Sequence, residues 1–249
     1  MRYFAFISYN GLNYSGFQRQ TKYKTIQGTI ENALKKIFRT PINIVISSRT
    51  DSGVHSLCNC FHFDLPYNIN CQRIKECLNK ILPLDIVILK IKEVKHDVHS
   101  RFYAKKRRYR YIITNKKNPF EVGYFYDKFE LLNVEKMDIA AKYLIGTTKF
   151  RTFSKMNKNE KRDYECIIYD SFCIKENNKI IFEIEGNRFT HSLVRCLIFN
   201  LIQIGSGIST IEEFINRLKS NNEKLKKGIA PANGLILVKI EYDKSIFVD

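Results

Sequence analysis

The sequence predicts an α+β fold of two related units, mainly antiparallel sheets joined around a central cleft with helices on the outer face. The first hundred residues run strand, helix, strand, strand, helix, strand, which is the order of a ferredoxin-like or RRM-like split unit. A comparable order returns after Arg101, and no low-complexity linker or short-period repeat interrupts the chain. The units are therefore expected at 1–100 and 101–249, and 249 residues suffice to bury a core in each.

The stretch from Arg2 to Tyr9 alternates as a strand. Asn10 to Gln20 follows as a loop rich in Gly, Asn and aromatic residues. Such a loop can set backbone amides and the charge of Arg19 beside a phosphate chain, or be an ordinary polar connection. Thr25 reads as a helix N-cap, after which Ile26, Ile30, Ala33, Leu34, Ile37 and Phe38 recur at helical spacing and leave Lys35, Lys36 and Arg39 in water.

Ile42 to Ile46 is a short β-branched run, and Leu57 to Phe63 alternates like a half-buried strand. Between them, Ser47 to Ser56 is turn chemistry: Ser and Asp offer hydrogen bonds to the backbone and Gly53 can take a left-handed conformation. Asp51 is thereby expected on a tight loop at the ends of two strands, a common place for a catalytic group, although Asp in such a turn is often only a turn former. Asp-Ser-Gly is also the short motif of aspartic proteases, whose chemistry needs two carboxylates. The chain has no second copy of it, and its positive charge gives that reading no support.

Ile74, Cys77, Leu78 and Ile81 mark a second helix, and Asp85 to Val94 a fourth strand. From Ser100 to Ile113 basic and aromatic residues interleave; period-two geometry sends Arg107, Tyr109 and Tyr111 to one face and Lys106, Arg108 and Arg110 to the other. A face with rings and a guanidinium suits an unstacked base and its backbone. An edge strand kept soluble by charge would look the same.

Beyond a turn at Asn118-Pro119-Phe120, a helix through Val134, Met137, Ala141, Leu144 and Ile145 ends near Gly146. Ser154 to Arg162 reads as a flexible, Lys- and Asn-rich insertion. Two strands, Cys166 to Lys175 and Lys179 to Glu185, join at Asn177-Asn178. Gly186 to Phe189 opens an apolar helix through Leu193, Leu197 and Leu201, within which Arg195 either snorkels to the surface or serves a site. A helix from Ile211 to Leu218, a basic loop at Lys224 to Lys227 and a final turn and strand from Ala230 to Val238 complete the pass.

With 42 Lys+Arg against 25 Asp+Glu, a net charge of +17 favours polyanions, either nucleic acid or an anionic membrane face. No stretch approaches the length of a membrane span and the N-terminal strand lacks the apolar run of a signal peptide, so a soluble cytoplasmic protein is expected. The seven Cys read as reduced, mostly buried thiols. His55, Cys58, Cys60, His62 and Cys71 invite a metal, but on a strand Cys58 and His62 stand about 13 Å apart at ~3.3 Å per residue, too far to share one. No metal is expected.

Five segments resemble, in order, the motifs of the tRNA pseudouridine synthase A family. Arg49-Thr50-Asp51-Ser52-Gly53-Val54-His55-Ser56 is similar to Arg-Thr-Asp-Ala-Gly-Val-His-Ala. The loop from Asn10 to Gln20 resembles Tyr-Asp-Gly-x-x-Tyr-x-Gly-Trp-Gln-Arg-Gln, with Phe17 where Trp is usual. Arg101 to Tyr111 resembles Arg-Phe-Ser-Ala-x-x-Arg-x-Tyr-Arg-Tyr; Phe189 to Arg195 resembles Phe-x-His-x-Met-Val-Arg; Ala230 to Leu237 resembles Ala-Pro-x-x-Gly-Leu-x-Leu. Ser47-Ser48 replaces the usual Ala-Gly, Cys196 stands where Asn is common and Asn233 where His is frequent, departures that remove no charged group the chemistry needs and leave the shape of the pocket open.

The resemblance implies a cofactor-free isomerase that converts uridine to pseudouridine at positions 38, 39 and 40 of the tRNA anticodon arm, working as a homodimer. It makes Asp51 the catalytic carboxylate, nucleophile or base. It also implies that Arg49 helps extrude the nucleotide, that Tyr109 stacks on the target base, and that Arg195 pairs with Asp51 and keeps it ionised. Gln18, Arg19, Arg107 and Arg110 are weaker candidates for RNA contact. The competing class is a non-catalytic RNA-binding module of the same fold.

Overall fold

The computed structural model describes residues 1–116, 118–128, 131–147, 149–153, 165–220 and 228–248. In chain order these form β1 (Arg2–Tyr9), α1 (Ile26–Phe38), β2 (Val45–Ile46), β3 (His55–Asp64), α2 (Cys71–Ile81), β4 (Ile86–Val94), β5 (Lys106–Thr114), β6 (Tyr126–Asp127), α3 (Val134–Lys142), β7 (Ile168–Glu176), β8 (Lys179–Gly186), α4 (Leu193–Gly205), α5 (Ile211–Ser220) and β9 (Leu235–Glu241). The class is α+β with mainly antiparallel sheets, and the chain divides into two compact units: Met1–Lys105 with Ile236–Asp249, and Lys106–Leu235.

In the first unit β1 lies antiparallel between β4 and β3. The remaining edge of β3 is shared by β2, antiparallel at Val45 and Ile46, and by β9, parallel at His55 opposite Ile236. One face of β1, Tyr3, Ala5, Ile7 and Tyr9, packs into a core with Ile30 and Leu34 of α1 and Ile74 and Leu78 of α2. Its other face, Phe4 and Phe6, is covered by the segment after β9, where Tyr242 meets Phe4 edge-on at 5.2 Å. Burial on both faces explains why β1 is apolar nearly throughout.

Local chemistry sets the element ends. Thr25 Oγ1 accepts from Gly28 N at 3.2 Å to cap α1, and Asn70 Oδ1 accepts from Gln72 N and Arg73 N to cap α2. The β-branched run from Ile42 is a strand only at Val45 and Ile46, because the Ile44 amide donates to Glu31 Oε1 of α1 at 3.1 Å instead of joining the ladder. Residues 236–249, placed with the second unit on sequence order, lie in the first, where Ser56 Oγ donates to Leu237 O at 3.1 Å.

In the second unit β8 lies antiparallel between β5 and β7, and β6 runs parallel beside β5. The β7–β8 hairpin turns at Asn177, whose φ of 53° is the left-handed conformation that Asn tolerates. Helix α4 is buried nearly all round, and the buried Arg217 of α5 is tied to it through Asn200 Oδ1 at 2.5 Å. The Ser154–Arg162 insertion and the Lys224–Lys227 loop fall outside the described residues, apart from their neighbours at Phe153 and Gly228.

Candidate active site

In the first unit, the two segments Asn10–Gln20 and Ser47–Ser56 are clamped together. Phe17 N donates to Thr50 O at 3.1 Å, Ser52 Oγ to Tyr14 O at 3.2 Å, Gly53 N to Tyr14 O at 3.4 Å, and Gly11 N to His55 Nδ1 at 3.1 Å. Glycine is required at both close approaches. A β-carbon on Gly11 would stand 1.9 Å from Val54 O, and one on Gly16, whose φ is +85°, 2.9 Å from Thr50 O. The turn itself closes with Val54 N on Asp51 O at 3.2 Å, and Gly53 takes a left-handed φ of 78°, which the sequence allows.

Beneath the loop lies a buried polar network. Asn59 Nδ2 donates to Ser48 O at 2.8 Å and to Tyr9 Oη at 3.2 Å, and the Tyr9 and Thr50 hydroxyls share a bond at 2.8 Å. Thr50 therefore points inward, while Arg49 is exposed and Asp51 half-buried. Tyr14 supports the same region from the side, donating to Asp85 Oδ1 at 2.7 Å; burial and that carboxylate raise its phenol above the ordinary range. Tyr9, Thr50, Asn59 and Asp85 went unread in the sequence. A lone Asn in the apolar run of β3 is the signal that points to them, since a buried amide must find partners.

In the second unit, three motif segments are similarly held. Tyr111 Oη donates to Pro231 O at 2.9 Å, and a β-carbon on Gly234 would meet the Tyr111 ring at 2.5 Å. Arg195 Nε donates to Ala230 O at 2.8 Å, and Ala230 N to Arg195 O at 3.0 Å. This bond fixes the base of the guanidinium, so Arg195 is anchored to a neighbouring turn. Ser192, at the helix entrance, has a φ of 59°, a costly conformation for a non-glycine residue and one that gathers at functional sites. Tyr109 is 8 % exposed, and its ring meets that of Phe189 edge-on at 5.1 Å.

The alternation on β5 is as read: Arg107, Tyr109 and Tyr111 are buried, and Lys106, Arg108 and Arg110 half-buried. Those three cations face a carboxylate ladder. Arg108 bonds Glu185 and Glu183 at 3.0 Å each and Asp170 at 3.1 Å; Arg110 pairs with Glu183 at 2.5 Å and Lys106 with Glu185 at 3.5 Å. Arg107 is buried and donates to Asn187 O. Of the loop candidates, Gln18 is exposed, while Arg19 pairs with Glu31 at 2.7 Å and reaches Asn43 at 3.3 Å.

The candidate metal cluster resolves into separate roles: His55 holds the Gly11 amide, and His62 Nδ1 meets the Ser100 hydroxyl at 2.8 Å. Among the described residues no group of three or more His, Cys, Asp or Glu stands where it would hold a metal ion, and no helix is long and apolar enough to cross a membrane.

Residues 5–103 and 140–243 match the family model described as tRNA pseudouridine synthase. The chain belongs to the tRNA pseudouridine synthase A family. It is 36 % identical over 249 residues to the tRNA pseudouridine synthase A of Limosilactobacillus reuteri (strain DSM 20016), covering 97 % of this chain and 96 % of that protein. To the enzyme of the same name from Borrelia duttonii it is 38 % identical over 241 residues, 96 % and 98 % of the two chains. To that of Porphyromonas gingivalis it is 34 % identical over 251 residues, 99 % of each. The chain is thus an isomerase of the tRNA pseudouridine synthase class. The clamped segments of both units lie within or beside the matched residues of the synthase.

Proposed function

We propose that the synthase converts uridine to pseudouridine at positions 38, 39 and 40 of the tRNA anticodon stem-loop, with Asp51 as the catalytic carboxylate. The observation that carries the reading is the loop from Ser47 to Ser56, whose segment Arg49 to Ser56 resembles the family signature and which is pinned by backbone and side-chain bonds on either side of Asp51. A catalytic group needs that fixity, since small displacements from reactive geometry cost large factors in rate.

The chemistry breaks the C1'–N1 bond, turns the uracil and joins C1' to C5; C5 loses its proton and N1 gains one. Nothing is oxidised and no group passes to a second molecule, so the balance calls for no cofactor. A stacked uracil cannot meet a protein carboxylate, so the nucleotide must be flipped, costing a few kcal/mol that phosphate and stacking contacts offset. In this reading Arg49 holds the nucleotide out of its helix and Tyr109 stacks on the uracil. Arg195 supplies the cation that favours the ionised carboxylate, and a homodimer in the cytoplasm is the working form.

The test uses unmodified tRNA transcripts that carry uridine at 38, 39 or 40 alone, with pseudouridine mapped after incubation. Each of the three is expected to be modified while uridines outside the anticodon arm are untouched. Modification elsewhere, or tRNA binding without any pseudouridine, would favour a different target or the non-catalytic reading.

A further inference from the structure

The buried network beneath the loop has no part in the chemistry as written, yet it touches the loop on both sides of Arg49. Asn59 is fully buried, Tyr9 is 4 % exposed and Thr50 8 %. The Asn59 amide is oriented without ambiguity: Oδ1 accepts from Cys60 N at 2.8 Å, so Nδ2 supplies both donated bonds, to Ser48 O and to Tyr9 Oη. Because an amide nitrogen only donates, the Tyr9 hydroxyl accepts there and exchanges a second bond with Thr50 Oγ1.

The three side chains come from separate places in the sequence: the end of β1, the loop itself and the middle of β3. Strand pairing brings them together, since β1 and β3 lie side by side from Arg2 opposite Asp64 to Tyr9 opposite Ser56. Rigid strands thus grip a loop carbonyl at 48 and a loop hydroxyl at 50. The next residue in the chain is Asp51.

We propose that Tyr9, Asn59 and Thr50 are positioning residues of the synthase: they set the place of the Asp51 carboxylate through the loop backbone and do not touch the reactants. The inference rests on Asp51 being the catalytic carboxylate. It predicts a particular kinetic signature. Loosening the network misplaces a group used in the transition state, so kcat falls steeply, while the affinity for tRNA, to which Arg49 of this loop supplies one contact among several, changes little.

The test compares Tyr9→Phe, Thr50→Val, Thr50→Ser and Asp51→Asn with wild type in a steady-state pseudouridine assay on one tRNA transcript, at a temperature well below each melting midpoint. Tyr9→Phe and Thr50→Val are expected to lower kcat about tenfold or more with KM within about twofold. Thr50→Ser, which keeps the hydroxyl, should restore kcat to within about threefold of wild type. A merely structural role would lower the melting midpoint without this separation of kcat from KM and without rescue by serine. The inference is overturned if Tyr9→Phe and Thr50→Val keep wild-type kcat, if KM rises as kcat falls, or if serine does not rescue. In the first case an inactive Asp51→Asn shows that the catalytic reading survives and only the positioning role fails. An Asp51→Asn variant with wild-type turnover would overturn both.

Discussion

Gly16 lies against Thr50 so closely that a β-carbon on the glycine would stand 2.9 Å from the Thr50 carbonyl oxygen. The contact welds one motif segment to the other. Gly16→Ala must strain a φ of +85° and push the loop that bears Asp51. The expected cost is roughly 1 to 3 kcal/mol, a melting midpoint lower by about 3 to 10 °C, with turnover at least tenfold lower. Gly146→Ala is the matched control: its φ is +76° but an added β-carbon would meet nothing within 4 Å, so it should cost about 1 kcal/mol and leave turnover unchanged. Thermal melts and steady-state rates on the two variants check the contrast.

Arg195 is anchored by Nε to Ala230 O at 2.8 Å, which leaves a fixed fork at the far end of the side chain. Lysine carries the charge but has neither the Nε donor nor the fork. Arg195→Lys is expected to lower turnover about a hundredfold or more while stability changes by only about 1 kcal/mol, one lost hydrogen bond. Near-normal turnover in the lysine variant would mean that charge alone suffices.

Arg110 and Arg49 should behave oppositely in binding. Arg110 is held by Glu183, which is buried and also bonded by Arg108, so Arg110→Ala is expected to cost about 1 kcal/mol of stability and leave tRNA affinity alone. Arg49 is exposed. If it meets the RNA backbone, Arg49→Ala should weaken binding and lower the slope of log affinity against log salt by about one. Salt titrations of tRNA binding by both variants read this directly; a changed slope in Arg110→Ala would show that the Glu183 pairing opens on RNA.

Acid should loosen the first unit through His62. Burial, together with the positive charge of Arg2 and His99, lowers its pKa to about 4. Between about 6.5 and 4 the unfolded chain takes up a proton at this residue and the folded chain does not, so stability is full above pH 6.5 and falls as pH drops toward 4. The loss by pH 5 is on the order of 1 kcal/mol once solvent screening is allowed for. Melts from pH 7.5 to 4.5 should show the decline, and His62→Gln should flatten it in that window. Asp64, held below the usual carboxylate range by its bond to Arg2, extends the loss to lower pH.

Much of this was legible because it is local. The Thr25 cap, the left-handed Gly53 and the two faces of β5 follow from residue types a few positions apart. What stayed hidden depends on register between distant strands. The pairing of Arg108 and Arg110 with Glu185 and Glu183 could not be read from spacing, because those carboxylates sit more than seventy residues away and become partners only when β5 pairs with β8. The return of β9 to β3, and the meeting of Tyr9, Thr50 and Asn59, are likewise products of pairing that no spacing in the chain encodes. Ile44 escaped the expected strand for a related reason, since a helix carboxylate took its amide.

The most direct measurement is pseudouridine formation on an unmodified tRNA transcript by wild type and Asp51→Asn side by side, with tRNA binding recorded for both. The substitution keeps the size of the side chain and removes only its charge and nucleophilicity. Wild type is expected to form pseudouridine in the anticodon arm, and Asp51→Asn to bind the same tRNA with similar affinity and form none. Pseudouridine produced by Asp51→Asn at the wild-type rate would contradict the assignment of Asp51 as the catalytic carboxylate.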